Sequence, residues 1–268
     1  TAIDPGFQLN AAIVGCAYPN GSLVYDIGVV QQIISPNSGV LTGANYNQDN
    51  RASTQELWQS YYRNVIKNTR DVISKIQSDP ARANLLQMTR IIQAFAFMVL
   101  TDDYGSIPYF EGGVGYSQQV YFPVYDSQDA IYTDIIKELT EATAALNLSG
   151  KVETADILYA GDLNKWKSFG YSLLLRAGMR LSQVNASKAQ QVVQAAFQGG
   201  VILSNSDNAK IAHDPNYTNT IGNLLNSTEA SNFYLTKPFV DYLRSKNDPR
   251  LSAIAVTYVG AKSGPEQT

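Results

Sequence analysis

The chain has 268 residues, 20 Lys+Arg against 23 Asp+Glu and a formal net charge of −3. It is long enough to bury a full core and too weakly charged, with the wrong sign, to take nucleic acid or an anionic membrane surface as its main partner. Charged residues make up only 16% of it, against roughly 25% in an average soluble domain; neutral polar side chains and 17 Tyr stand in their place, a chemistry suited to neutral polar ligands such as sugars or peptides.

One cysteine, Cys16, excludes an intramolecular disulfide, and one histidine, His213, excludes a His-His metal site. No unbroken run approaches the roughly 18 apolar residues of a membrane span. Ile13-Val14-Gly15-Cys16 has the form of a lipoprotein cleavage box. Asp4, Pro5, Gln8 and Asn10 precede it without a basic residue, so Cys16 reads as a small buried residue on a helix. Phe7, Leu9, Ala12, Ile13 and Cys16 suit that helix, and Val24, Ile27, Val30, Ile33 and Ile34 suit another. Ser35 to Ala52 has no periodicity and reads as a long exposed loop.

Clear start signals follow. Ser53-Thr54-Gln55-Glu56 is a capping box, and Trp58, Tyr61, Tyr62, Val65, Ile66, Val72, Ile73 and Ile76 behind it predict a helix to about Gln77. Asp79-Pro80 supplies an N-cap and a first-turn proline for a second helix striped by Leu85, Met88, Ile92, Phe95 and Val99, ending near Thr101. Asp102 to Tyr125 is a non-helical insert rich in Gly and Pro. Asp126 is expected to cap a third helix (Ile131, Ile135, Leu139, Ala142, Leu146) and Asp162 a fourth (Trp166, Phe169, Leu173, Ala177, Leu181). Ser187-Lys188-Ala189-Gln190 is a second box, opening a short helix that Gly199-Gly200 ends. Residues 201 to 235 read as loop, Pro238 to Arg244 as a short helix and Ile254 to Val259 as a strand. The fold class is mainly α, tetratricopeptide-like helical pairs with long loops and few strands. Starts at 53, 79, 126 and 162 are too uneven for a strict repeat of about 34 residues.

Few constellations carry catalytic chemistry. Asp102-Asp103 is the obvious carboxylate pair, which could bind calcium or serve glycoside hydrolysis, where two carboxylates flank the scissile bond; the plainer reading is a helix end whose side chains bond amides of the following turn. His213 has no nucleophile elbow to serve, and Gly112-Gly113-Val114-Gly115 follows no strand, so it is no phosphate loop. Five Asn-x-Ser/Thr sequons, at Asn20, Asn147, Asn185, Asn216 and Asn226, are expected by chance in so Asn-rich a chain. Loop aromatics are more informative, because an exposed ring has no packing reason to be there. Tyr46 lies among Asn50, Arg51 and other polar side chains. Tyr116, Tyr121 and Phe122 lie in the insert. Ring faces pack on sugar C–H groups while amides and guanidinium bond hydroxyls, so Tyr46, Asn50, Arg51, Tyr116 and Tyr121 are the candidate ligand contacts.

Taken together, the segment Leu100 to Phe110 (LTDDYGSIPYF) is similar to the D-x-x-G-x-I-P-Y region of the SusD/RagB family, helical nutrient-binding lipoproteins of the Bacteroidetes outer membrane. Pro123 to Tyr132 (PVYDSQDAIY), Gly161-Asp162 with Lys165-Trp166, Ser172 to Arg176 with Met179-Arg180, Asp248 to Leu251 (DPRL) and Asp4-Pro5-Gly6-Phe7 resemble further family motifs in order. The resemblance implies a SusD-like α-α superhelix with its tetratricopeptide-like core at 53–200. It also implies that residues 1–268 form one domain and about half of a longer protein. By the same resemblance Asp102, Tyr104, Gly105 and Pro108 define the fold and are not catalytic; no cofactor is expected, and no residue is singled out as a metal ligand. The implied function is non-catalytic capture of an oligosaccharide or peptide at the cell surface, for delivery to a SusC-like TonB-dependent transporter. The membrane would be reached only through a lipid anchor outside this chain. Two alternatives stay open: a helical glycosidase using Asp102 or Asp103, and a helical scaffold that binds only protein.

Overall fold

The computed structural model describes residues 3–35, 51–223 and 233–254, and the chain divides into two compact units: Thr1–Tyr18 with Leu57–Asp214, and Pro19–Glu56 with Pro215–Thr268.

Helices build the larger unit, and several begin at a local cap. Helix α1 (Pro5–Gly15) starts at Asp4, whose carboxylate accepts from the Gly6 amide with Pro5 in the first turn. It buries Leu9, Ala12 and Ile13, while Phe7 faces outward, 61% exposed; the helix has one buried face and Phe7 lies off it. Cys16 is half-buried just past the helix end, and burial pushes its thiol up to about 12. In chain order come α2 (Asn20–Val29), which belongs to the smaller unit, then α3 (Arg51–Ser60), a π-helical stretch (Tyr61–Ile66) and α4 (Lys67–Ile76). Ser53 does not open a helix: the chain is already helical at Arg51, and a capping serine needs extended backbone angles.

Asp79 accepts from the Ala81 amide and starts a turn of 3₁₀ helix that runs into α5 (Ala83–Tyr104). Fifteen of the residues of α5 are buried, including Leu85, Met88, Ile91, Phe97, Met98 and Leu100, so it is apolar almost all round, the pattern of a helix inside the core. Pro80–Tyr104 has the length and composition to cross a bilayer, but 72% of its most apolar stretch is buried within the protein. Helices α4 and α7 (Gln128–Ala145) pack on α5, and α7 is followed by α8 (Leu163–Arg180) and α9 (Ala186–Gly199) in a continuous stack. Arg90 ties α5 to α7 through Glu138 and Glu141, both at 2.8 Å. Asp162 caps α8 as expected, accepting from the Asn164 and Lys165 amides. Asn185, not Ser187, caps α9 by accepting from the Lys188 amide at 3.0 Å; asparagine is at least as good a cap and stands two residues earlier.

The smaller unit holds α2, the antiparallel pair β1 (Ile33–Ile34) and β2 (Tyr234–Leu235) with Ile33 opposite Leu235, α10 (Thr220–Asn223), α11 (Lys237–Ser245) and α12 (Leu251–Ile254). Val24 and Ile33 form its small core with Ile27, Phe233 and Leu235 around them. Val30 is exposed at the end of α2, and Ile33 is buried through the strand, not through a helix stripe. Ile254 closes α12, so the chain is helical where a strand is expected to begin; the rest of that stretch, and almost all of the loop from Ser35 to Ala52, lie outside the described residues.

Candidate functional site

Helix α5 runs three residues past Thr101 and stops at Gly105, whose φ of 73° and ψ of −114° suit only a residue without Cβ. The insert that follows folds back on itself. Ile107 and Asp126 exchange main-chain hydrogen bonds, and the Glu111 carboxylate accepts from the Val124 amide at 3.0 Å. The expected helix cap is overturned here. The Asp126 carboxylate accepts from the amides of Tyr109 and Phe110, at 2.9 and 3.0 Å, and Ser127 caps α7 instead. An aspartate with two amides within reach on the opposite strand bonds them and leaves the cap to its neighbour.

Residues of α4 and the π-helical stretch hold the same base from below. The Tyr62 hydroxyl donates to the Pro108 carbonyl at 2.7 Å, and Arg70 donates to the carbonyls of Tyr109, at 2.6 Å, and Gly112, at 3.2 Å. Burial raises the Tyr62 hydroxyl pKa and lowers that of Arg70 from its ordinary value. Gly113, at φ 78°, would set a Cβ 2.7 Å from Ile66 Cγ2, so the glycine run lets the insert lie on the helix and forms no phosphate cradle. Tyr125 stacks on Trp58 at 6.0 Å, and Trp58 meets the edge of Tyr104 at 5.2 Å.

Above this base the insert displays its rings. Tyr116, on the short α6 (Gly115–Gln118), is 95% exposed, Tyr121 72% and Phe122 95%, with Phe110 and Tyr125 also exposed. Neither the Tyr116 nor the Tyr121 hydroxyl has a hydrogen-bond partner among the described residues. Such rings offer apolar faces and hydroxyls to a polar ligand. Tyr116 and Tyr121 both lie in this insert, Tyr116 on α6 and Tyr121 just beyond it. Arg51 is exposed at the start of α3 in the other unit, and Tyr46 and Asn50 lie outside the described residues.

Asp102 and Asp103 have different work. Asp102 accepts from the Tyr132 hydroxyl and from Arg180, both at 2.5 Å, with Arg176 at 3.7 Å. Asp103 accepts from the Tyr18 hydroxyl at 2.6 Å. Their expected bonds to amides of the next turn are replaced by side-chain partners, because the helix continues through both. They border a cavity of about 320 Å³ floored by Phe95 and Val99. Adjacent carboxylates on one helix end, one of them neutralised by arginines, do not flank a bond from opposite sides. His213 is exposed in a loop, and no group of three or more His, Cys, Asp or Glu is placed to hold a metal ion among the described residues.

The sequence reading missed Arg70 and Asp126 as supports of the insert. Tyr62, Ile66 and Arg70 recur every four residues, which puts a guanidinium on an aromatic face; that spacing was the available signal.

Residues 1–267 match a family model described as SusD-like, starch-binding associating with outer membrane. A solved chitin-binding protein is 32% identical, with a TM-score of 0.82 over 93% of this chain and 54% of its own. A Bacteroidetes SusD-like protein is 27% identical, TM-score 0.79, over 93% of this chain and 50% of its own. A chitin-binding SusD homologue from Flavobacterium johnsoniae, at 22% identity and TM-score 0.77, covers 93% of this chain and 54% of its own. The chain thus spans about half the length of the structures it matches. A search of curated proteins finds no match.

Proposed function

Because the chain belongs to the SusD-like family, starch-binding proteins associating with the outer membrane, we propose that it is part of a non-catalytic surface protein that captures an oligosaccharide and passes it to a TonB-dependent transporter. The longer protein is held to the outer membrane by a lipid anchor. The observation that carries the capture reading is the insert: three rings displayed at 72–95% exposure on a base that hydrogen bonds hold in place.

Tyr116, Tyr121 and Phe122 pack their faces on pyranose C–H groups, and the tyrosine hydroxyls exchange water for sugar hydroxyls. Tyr46, Asn50 and Arg51 are proposed as ligand contacts in their own right, on the chemistry of a ring, an amide and a guanidinium close together in the sequence. No bond is made or broken. Several modest contacts give a complex that dissociates fast enough to hand its ligand on. Chitin oligosaccharides are the first ligands to test, since the 32% identical neighbour is a chitin-binding protein.

Calorimetric titration of the full-length protein with chitohexaose and maltohexaose tests the reading. Tyr116→Ala and Tyr121→Ala are each expected to weaken binding about tenfold, the ratio that corresponds to about 1.4 kcal/mol. Binding unchanged in both variants and in their double variant removes the insert from the site. Release of reducing ends that is lost in Asp102→Asn would overturn the non-catalytic reading in favour of a glycosidase.

A further inference from the structure

We infer that Arg70 is a positioning residue for ligand binding, its guanidinium setting the base of the insert so that Tyr116, Tyr121 and Phe122 meet the ligand already ordered. The inference rests on the insert being a ligand contact, as proposed above.

Arg70 is partly buried on α4, about forty residues before the segment it holds. Its Nη2 donates to the Tyr109 carbonyl at 2.6 Å and the Phe110 carbonyl at 3.5 Å, and its Nε to the Gly112 carbonyl at 3.2 Å. The guanidinium lies 5.5 Å from the centre of the Phe97 ring. No carboxylate stands within ion-pair distance of it among the described residues. Asp134 and Glu138, whose charges act on it from farther off, are taken by the Tyr109 hydroxyl at 2.8 Å and by Arg90.

A cation drawn out of water without a counter-ion weakens a fold unless its donors are all used. Here Nε and Nη2 are used on main-chain carbonyls of one short segment. Asp126 does the converse, taking the Tyr109 and Phe110 amides. One cation thus satisfies the carbonyls and one anion the amides of the same turn, which fixes its backbone in both senses. A planar guanidinium fork bridges three carbonyls; a lysine ammonium, a point charge on a flexible stem, does not. A platform fixed in advance loses less freedom when a ligand arrives, and the saving appears as affinity.

Arg70→Lys and Arg70→Ala test this, each read by three measurements on the full-length protein: thermal unfolding, amide hydrogen exchange, and titration with chitohexaose. The expected result for Arg70→Lys is a retained unfolding transition and unchanged protection of α5. Amides of residues 110–125 exchange about tenfold faster or more, and chitohexaose binds about tenfold more weakly. Added millimolar guanidinium slows the insert's exchange again in Arg70→Ala but leaves wild type unmoved. Unchanged insert protection overturns the inference, and so does faster exchange with unaltered affinity. If wild type binds neither chitohexaose nor maltohexaose, the ligand reading of the insert fails; the exchange data still stand apart, deciding whether Arg70 orders the segment.

Discussion

The helical stack and the insert after α5 use the same residue types for opposite ends. In the stack Trp166, Tyr61 and Phe97 are at most 1% exposed, and in the insert Tyr116 and Phe122 are 95% exposed. A ring inside the stack is held by its own burial, at roughly 1.5–3 kcal/mol each. A ring on the insert contributes almost nothing to folding and depends on hydrogen bonds at its base for its place. Stability and recognition therefore occupy separate residues, and substitutions should separate them too.

Four variants grade that contrast. Trp166→Ala has the largest expected effect, about 3–5 kcal/mol of stability in denaturant titration. It empties a fully buried site and deprives the buried Asp156 of the indole N–H at 2.8 Å. Gly105→Ala is expected to cost about 1–3 kcal/mol, because a side chain there is strained at φ 73° even though nothing lies within 4 Å of its Cβ. A neutral result would mean that the turn between stack and insert adapts.

Asp4→Asn is next and is read through pH. The Arg82 guanidinium, then the Gly6 amide, hold the Asp4 carboxyl below its ordinary range. A depressed folded pKa means that the contribution is present above the unfolded value of about 3.9 and lost as pH falls through the folded one. Wild type is expected to lose this part of its stability below about pH 4. Asparagine still caps α1 through its Oδ1, so Asp4→Asn removes the charge and one hydrogen bond from Arg82 but not the cap. Since Asp4 is half exposed, less than about 1 kcal/mol at pH 7 is at stake, and that part of the acid slope flattens. The smallest effect breaks or keeps the contrast most directly. Tyr116→Ser with Phe122→Ser should leave the unfolding free energy within about 0.5 kcal/mol of wild type. A loss of 2 kcal/mol or more, on the order of a core truncation, would show those rings to be packing residues.

Much of the stack is legible along the chain. Asp79-Pro80, Asp162 and Gly200 mark helix ends at the positions the structure gives them, because a cap is a contact between residues two or three apart. The stripe from Leu85 to Val99 identifies α5, though not that it is buried on nearly every side; that depends on α4 and α7 covering it together. Local spacing does not decide a cap where two candidates compete. Ser127 displaced Asp126, and Asn185 displaced Ser187.

What the sequence by itself determined is the helical order, the glycine stops and the resemblance to SusD-like proteins, since each rests on spacing within one segment. The tertiary structure decided what the charged residues do. Asp102 meets Arg180, Asp126 meets the amides of Tyr109 and Phe110, and Arg70 meets their carbonyls. These partners stand 16 to 78 residues apart. Charge acts through space, and no local periodicity records which distant backbone a carboxylate or guanidinium will reach.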